Sequence, residues 1–288
     1  MELIRASVLG FCFGVRRAVE LAQKALEENK GNTVYSLGPL IHNESVLSEF
    51  AAKGLITVDE EDISSIKNSS VVIIRAHGVS PNVISELKKK QCKIIDATCP
   101  RVQASQKMVQ KYDKPDDFII LTGDRQHGEV RSIAGYAKTK IAEIQDYNEA
   151  LSFKIENNKP SSSQEKNIIL LSQTTFSPLE FEKIKSLLCN RFSKIKVMNT
   201  VCPATNERQE ALLELCRKVE GVLVIGGKNS ANTKRLYLTA KENCQYAAHI
   251  QSASDIPLEF FSLEKVGITA GASTPDKIIL EVEKALKS

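Results

Sequence analysis

A cysteine followed by a helix-period stretch occurs three times in this chain of 288 residues, and this repeat limits the possible folds most strongly. The segments are GFCFGVRRAVELAQKAL, ATCPRVQASQKMVQKY and TVCPATNERQEALLEL. Each places one cysteine (Cys12, Cys99 or Cys202) between a short β-prone run and a helix. A repeated strand–cysteine–helix unit predicts three similar parts.

Two further patterns recur once in each part. One is an apolar strand, a glycine and a polar loop: VYSLGPLIHNESV, FIILTGDRQHGEV and VLVIGGKNSANTK. The other is an apolar strand, small polar residues and a proline: VVIIRAHGVSP, IILLSQTTFSP and VGITAGASTP. Pro81, Pro178 and Pro275 stand 97 residues apart in both intervals. Strands alternating with helices predict an α/β fold with mainly parallel sheets.

The third copy lacks a strand leading to a cysteine, and the run from Leu3 to Leu9 supplies one before Cys12. We therefore expect the chain ends to meet and three units to close into a ring. The predicted fold class is α/β, with three pseudo-repeated lobes around a central site. The predicted lobes are residues 14–98, 99–201 and 202–288, the last completed by residues 1–13. Since ligands bind beyond the carboxyl ends of parallel strands, all three patterns face one centre.

The three repeated cysteines predict a metal site at that centre. Each lies near a helix N-terminus, where the partial positive charge favours the thiolate. Zinc would need a fourth protein ligand or a water, whereas soft thiolates also suit iron–sulfur clusters. Three thiolates on a four-iron cluster would leave one iron open to a substrate. The other four cysteines lie off the repeat and are interpreted as small apolar residues: Cys92, Cys189, Cys216 and Cys244.

The remaining polar residues of the patterns predict an anion site. The donors are His42, His77, Ser230, Asn232 and Ser273. Helix N-termini beside them add backbone N–H groups, which favours phosphate or diphosphate. For the serine and asparagine positions, helix capping is an equal alternative.

The second part differs, because its loops offer His127, Glu129 and Thr174. A first-turn glutamate can simply complement the helix dipole. Beside an open iron, the same three residues would form a proton relay.

Composition limits the partners. Aromatic residues make up 6% of the chain, tryptophan is absent and the net charge is +4, which argues against a nucleic-acid surface. No apolar run approaches the roughly 20 residues of a membrane span, and no basic region precedes the first apolar stretch. The expectation is a cytoplasmic protein with no nucleic-acid or membrane partner.

The motifs together resemble the 4-hydroxy-3-methylbut-2-enyl diphosphate reductase family (LytB type) of the non-mevalonate isoprenoid pathway. The matching stretches are GFCFGV, HN at 42–43, RAHGVS, DATCP, HGEV, SQTTFS, CPATNERQ, GGKNSANTKRL and TAGAST. They extend from residue 10 to residue 274 and therefore cover nearly the whole chain.

The resemblance implies a three-lobed fold around a [4Fe–4S] cluster held by Cys12, Cys99 and Cys202. The open iron is expected to be lost in air, leaving a [3Fe–4S] species. The implied reaction removes the substrate's allylic hydroxyl reductively, with a reducing partner such as ferredoxin or flavodoxin. Glu129 is then the proton source, and Thr174 and His127 lie near the hydroxyl. The diphosphate is held by His42, His77, Ser230, Asn232 and Ser273.

One position departs from the family pattern. The family often has two serines before the asparagine, whereas Ala231 follows Ser230 here. Ala231 is therefore predicted to contact the substrate only through its backbone.

Three alternatives come from other activities. A hydratase or dehydratase would use the same open iron without net electron transfer, and an electron carrier or sensor would need no diphosphate site. A P-loop ATPase is disfavoured, because in GGKNS Asn229 stands where serine or threonine is required, and Val222 replaces the first glycine.

Overall fold

The computed structural model describes residues 1–139, 141–155 and 167–287. The strands are β1 (Glu2–Arg5), β2 (Val34–Leu37), β3 (Leu55–Val58), β4 (Val71–Ile74), β5 (Lys93–Asp96), β6 (Asp117–Thr122), β7 (Ile141–Ile144), β8 (Asn167–Ser172), β9 (Ile195–Val197), β10 (Gly221–Ile225), β11 (Tyr246–Ile250) and β12 (Lys265–Ala270). The helices are α1 (Phe13–Glu28), α2 (Glu44–Ala52), α3 (Pro81–Lys89), α4 (Pro100–Tyr112), α5 (Gly128–Ala134), α6 (Tyr147–Ser152), α7 (Pro178–Arg191), α8 (Pro203–Cys216), α9 (Ala231–Asn243) and α10 (Asp276–Lys287). Short 3₁₀ turns lie at Glu60–Ser65, Ala253–Asp255 and Leu258–Ser262.

The strands form three four-stranded sheets with one shared topology. Their orders are β3-β2-β4-β5, β7-β6-β8-β9 and β11-β10-β12-β1. Every neighbouring pair is parallel. The fourth strand of each sheet is the one that leads into a repeated cysteine. The prediction of three pseudo-repeated α/β lobes is confirmed.

The N-terminal strand completes the third sheet, as the sequence predicts. In β1, Glu2 stands opposite Lys265 of β12 and Arg5 stands opposite Ile268. Arg5 also forms an ion pair with Glu283 of α10, so the two ends of the chain meet. The strand stops at Arg5 rather than Leu9, although the backbone continues alongside β12 with hydrogen bonds as far as Gly10.

The central strands explain why the sequence forms parallel sheets. All residues of β2, β4 and β10 are buried, so these strands are apolar on both faces apart from Ser36 and Gly221. Amphipathic helices cover them, and in α1 the buried face is Ala18, Ala22 and Ala25. Burying one Val, Leu or Ile side chain contributes about 1.5–3 kcal/mol, so each lobe has its own stabilising core.

Each repeated cysteine lies where the chain passes from one lobe to the next. Cys99 follows β5 of the first sheet and begins α4, which packs on the second sheet through Val102 and Val109. Cys202 follows β9 and begins α8 of the third lobe. Cys12 follows β1 and begins α1 of the first lobe. This arrangement brings residues distant in sequence to three equivalent junctions.

Contacts between lobes close the ring. They include Ser273 Oγ to the His42 carbonyl at 3.0 Å, Arg235 Nη1 to the Thr175 carbonyl at 3.1 Å, and packing of Arg75 against Gly128. Within the described ranges, no helix has both the length and the apolar character that crossing a membrane would require.

Candidate active site

The three cysteines are anchored in the same way. Each is the N-cap residue of its helix, and none of their side chains makes a capping hydrogen bond. Their backbone N–H groups donate to the carbonyls of Ala272, Ala76 and Thr174, at 3.1, 2.9 and 2.8 Å for Cys12, Cys99 and Cys202. These acceptors all follow the third strand in the order of their sheet. The repeated backbone geometry therefore gives the thiols equivalent places.

The thiols share one electrostatic environment. Burial raises the pKa of Cys99, and negative charge on Cys12 or Cys202 raises it further. Backbone N–H groups of Arg101 and Val102 oppose this and lower the same pKa. Without a metal, Cys99 is therefore a thiol at neutral pH, and metal binding has to release its proton.

The spacing of the sulfurs distinguishes between kinds of metal group. Among the described residues, the three Sγ atoms do not form a set within 4.8 Å of one another. One tetrahedral zinc ion with Zn–S bonds of about 2.3 Å would need sulfurs about 3.8 Å apart. A cluster spans a wider gap, and thiolate is its usual ligand. This donor set fits an iron–sulfur cluster better than a single ion.

A cavity beside the cysteines is lined by all three lobes. Its empty volume is about 660 Å³, including space open to solvent at its mouth. It is lined by these predicted site residues: Cys12, His42, His77, Cys99, His127, Glu129, Thr174, Ser230, Ala231, Asn232 and Ser273. Cys202 does not line it, but its N–H group binds the Thr174 carbonyl. The cavity thus brings together eleven of the twelve residues predicted from the sequence.

Three imidazoles form one wall. The rings of His42 and His77 stack with centroids 4.7 Å apart, and His127 meets His77 edge-on at 4.9 Å. Burial lowers the pKa of all three, to about 4 for His127, and the positive charge of Arg75 adds to the effect. The rings are therefore neutral at pH 7 when no anion is bound. An anion would favour their protonated forms and raise these pKa values.

The third lobe contributes polar groups near the N-terminus of α9. Ser230 caps this helix, because its hydroxyl oxygen accepts the Thr233 N–H at 3.3 Å. Ser273 donates to the His42 carbonyl, so its hydroxyl already has a partner. In the described part of the chain, the buried Asn232 Nδ2 has none. The amide of Asn232, which lines the cavity, is therefore free to donate to a ligand.

Glu129 is the acid of the cavity and is 1% exposed. Its carboxylate accepts the Thr174 N–H at 2.5 Å and the Thr174 hydroxyl at 2.8 Å. Burial raises the pKa of Glu129 to about 7, although both hydrogen bonds from Thr174 act to lower it. A carboxyl group with this pKa can hold or release a proton near neutral pH.

Comparison with known proteins identifies the family. The sequence model described as "LytB protein" matches residues 3–287.

The chain belongs to the LytB protein family.

Named relatives of this LytB chain agree with one another. A 4-hydroxy-3-methylbut-2-enyl diphosphate reductase from Treponema denticola is 48% identical and covers 99% of both chains. One of the same name from Aquifex aeolicus is 36% identical and covers 100% of this chain and 96% of its own.

Two solved structures are similar to the LytB chain. The E-1-hydroxy-2-methyl-but-2-enyl-4-diphosphate reductase from Plasmodium falciparum has a TM-score of 0.88 and 29% identity, and the match covers 99% of this chain and 87% of that one. A structure described as (E)-4-hydroxy-3-methyl-but-2-enyl diphosphate reductase, the terminal enzyme of the non-mevalonate pathway, has a TM-score of 0.73 and 36% identity, with coverage of 100% and 99%. The family and the three-lobed fold predicted from the sequence are both confirmed.

Two buried arginines of this LytB protein lie near the cavity and are missed by sequence reasoning. Arg75 is 6% exposed, forms an ion pair with Glu60 at 2.5 Å and acts on all three histidines. Arg208 is 3% exposed and lies close enough to Cys12 and Cys202 to interact electrostatically. Both arginines occur inside motifs given above, RAHGVS and CPATNERQ. The sequence feature that could have identified them is a charged residue in the same motif as a predicted ligand.

Proposed function

We propose that this LytB protein reduces (E)-4-hydroxy-3-methylbut-2-enyl diphosphate to isopentenyl and dimethylallyl diphosphates, the last step of the non-mevalonate isoprenoid pathway. The observation that carries the proposal is one cavity that combines equivalent thiols from three lobe junctions, a buried carboxyl group and donors for an anion. The reaction consumes two electrons and two protons, replaces a C–O bond by a C–H bond and releases water.

We further propose that Cys12, Cys99 and Cys202 hold a [4Fe–4S] cluster whose fourth iron has no protein ligand. When bound, the cluster supplies the electrons and a Lewis-acidic iron. The equivalent anchoring of the three thiols, and the electrostatic interaction of Cys99 with Cys12 and Cys202, support this ligand set. Gly14 supports it as well, because a Cβ there would lie 2.5 Å from Cys99 Sγ, so glycine lets α1 approach the thiol.

The diphosphate end of the substrate is proposed to lie against the imidazoles of His42 and His77 and the amide of Asn232. The first N–H groups of α9, including that of Ala231, have no partner within the helix and are available to an anion. The hydroxyl of Ser230 completes this set, and that of Ser273 joins it by exchanging its hydrogen bond to the His42 carbonyl for one to the anion. Arg75, although paired with Glu60, adds positive potential at the imidazoles, and this favours an anion there.

Glu129 is proposed to supply the proton that leaves with the hydroxyl as water. Its neighbour Thr174 also lines the cavity and donates its hydroxyl to Glu129 in the structure. When Glu129 is protonated and donates instead, the Thr174 hydroxyl can give its proton to the substrate oxygen and receive one from Glu129. His127 lies next to this pair, since its Nδ1 accepts the Glu129 N–H at 3.2 Å. This chain's residues thus keep a proton at the reacting end.

The electrons are proposed to come from a separate reducing protein such as ferredoxin or flavodoxin. The residue following each cysteine is exposed, including Phe13 at 73% and the prolines at 100 and 203. An external donor could therefore approach the proposed cluster closely from this side. A cytoplasmic location, where thiols remain reduced, is part of the same proposal.

Anaerobic reconstitution tests the function directly. Iron and sulfide per chain, Mössbauer and EPR spectra, and turnover with a reduced dye would be compared in wild type, Cys99→Ser and the control Cys189→Ser. Cys189 is exposed and lies outside the site. We expect C99S to lose iron and activity and C189S to retain both. Unchanged iron content in C99S, or conversion of substrate without electron uptake, would contradict the proposal.

A further inference from the structure

Arg208 is a buried cation whose counter-charge is not a carboxylate. It lies in α8, six residues after Cys202, and is 3% exposed. Within the described ranges it takes part in no ion pair at or below 4.0 Å. A buried charge without a partner is costly to the folded state, so the arrangement requires an explanation.

The guanidinium connects two parts of the chain that carry proposed ligands. Its Nη2 donates to the Gly10 carbonyl at 2.6 Å, two residues before Cys12. Its Nη1 donates to the carbonyl of Ala204 within its own helix at 3.1 Å, and its buried Nε has no partner among the residues that the structure describes. The side chain therefore joins the helix that begins at Cys202 to the loop that ends at Cys12.

The negative groups acting on Arg208 are mainly sulfurs. Burial lowers the pKa of Arg208, and charge on Cys12 and Cys202 raises it, followed by a weaker contribution from Glu207. A cysteine carries this charge only as a thiolate, which is the form that binds iron. The guanidinium thus lies within electrostatic range of two of the three proposed ligands, at the junction where it bonds the Gly10 carbonyl.

Arg17 gives a useful comparison at another junction. It lies in α1, five residues after Cys12, and donates to the carbonyls of Asp96 and Thr98 at 3.2 Å, just before Cys99. It therefore ties one cysteine helix to the next cysteine loop as Arg208 does. Unlike Arg208, it is only partly buried, so solvent screens its charge.

We propose that Arg208 is a positioning residue that fixes the loop of Cys12 against the helix of Cys202, and that its buried charge stabilises the reduced cluster. This inference rests on the proposed function. Each electron added makes the thiolate-bound cluster more negative, and a nearby buried cation stabilises that form more than the oxidised one. Removing the charge should make the reduction potential more negative.

Two substitutions separate the charge from the hydrogen bonds. Arg208→Gln is neutral and too short to reach the Gly10 carbonyl, whereas Arg208→Lys also lacks the planar fork but keeps the charge, so the difference between the two variants reports on the charge. Arg5→Gln is the control, because it removes an equal charge from an exposed ion pair. The potentials would be measured by EPR-monitored titration of reconstituted protein, with iron counted per chain.

We expect a more negative potential for R208Q, a potential near the wild-type value for R208K and no change for R5Q. Loss of iron from R208Q alone would also support the role of the charge. Full iron content and the wild-type potential in R208Q would overturn the inference. Equal loss of iron from R208Q and R208K would support the positioning role and overturn the role of the charge. If wild type itself holds no cluster, the proposed function fails instead.

Discussion

At the scale of single residues, Glu129 determines the protonation chemistry of the cavity. We expect Glu129→Gln to keep its iron and bind substrate but to lower kcat by at least about 100-fold, the smaller end of general-acid effects. Glutamine fits the same space, and its carbonyl can still accept the Thr174 N–H. The measurement is kcat beside iron content and substrate affinity, with the exposed Glu182→Gln as control. Turnover of E129Q at the wild-type rate would remove Glu129 from the proton path.

The raised pKa of Glu129 also has a consequence for stability. The folded protein keeps this proton up to about pH 7, whereas a glutamate in the unfolded chain releases it near its usual pKa of 4.5. The free energy of unfolding therefore falls as the pH rises from 4.5 to about 7, by about 3 kcal/mol in total. E129Q has no proton to lose at this position. In urea unfolding of the metal-free proteins, the free energy of unfolding of E129Q should therefore rise relative to that of wild type between pH 5 and pH 8. A difference independent of pH would contradict the raised pKa.

At the scale of helices and strands, Gly14 shows how one element fits against a ligand. Alanine favours a helix by about 1 kcal/mol over glycine, so Gly14→Ala should strengthen α1 by itself. Its Cβ, however, would lie 2.5 Å from Cys99 Sγ and force the helix or the thiol to move. We expect G14A to hold less iron while remaining folded, as judged by iron per chain and thermal melting. Glu20→Ala, on the exposed face of α1, is the matched control and should keep its iron.

The same scale shows what the sequence could and could not predict. Strands such as Val71–Ile74 were predictable because an apolar run buried on both faces leaves a local pattern. The cysteines and histidines were predictable because they recur at matching places. Arg75 and Arg208 were not, since nothing local in the sequence indicates which distant group a buried arginine will meet. The hydrogen bond from Ser273 to the His42 carbonyl was missed for the same reason.

At the scale of the whole molecule, the shared topology explains why the site forms at all. The last strand of each sheet leads to a repeated cysteine, and the helix after that cysteine belongs to the next lobe. An isolated lobe would carry one repeated cysteine at each of its two ends. The three repeated cysteines therefore meet only when the three lobes close into a ring. The site therefore depends on contacts between residues far apart in the sequence; Ser273 and His42, for example, are 231 positions apart. Such long-range closure also implies slow folding.

Because β1 belongs to the third sheet, the fold should require that this strand pairs with β12 but not that it stands at the start of the chain. Deleting residues 1–5 should expose the edge of β12 and free Cys12, so the deletion variant should bind little iron. A circular permutant in which a short Gly/Ser linker joins residue 287 to residue 1 keeps β1. New ends at the exposed turn of Lys30 and Gly31 disturb no sheet. We expect the permutant to fold and load iron as wild type does, measured by thermal melting and iron per chain. Full loading of the deletion variant, or an unfolded permutant, would show that the ring does not close through β1.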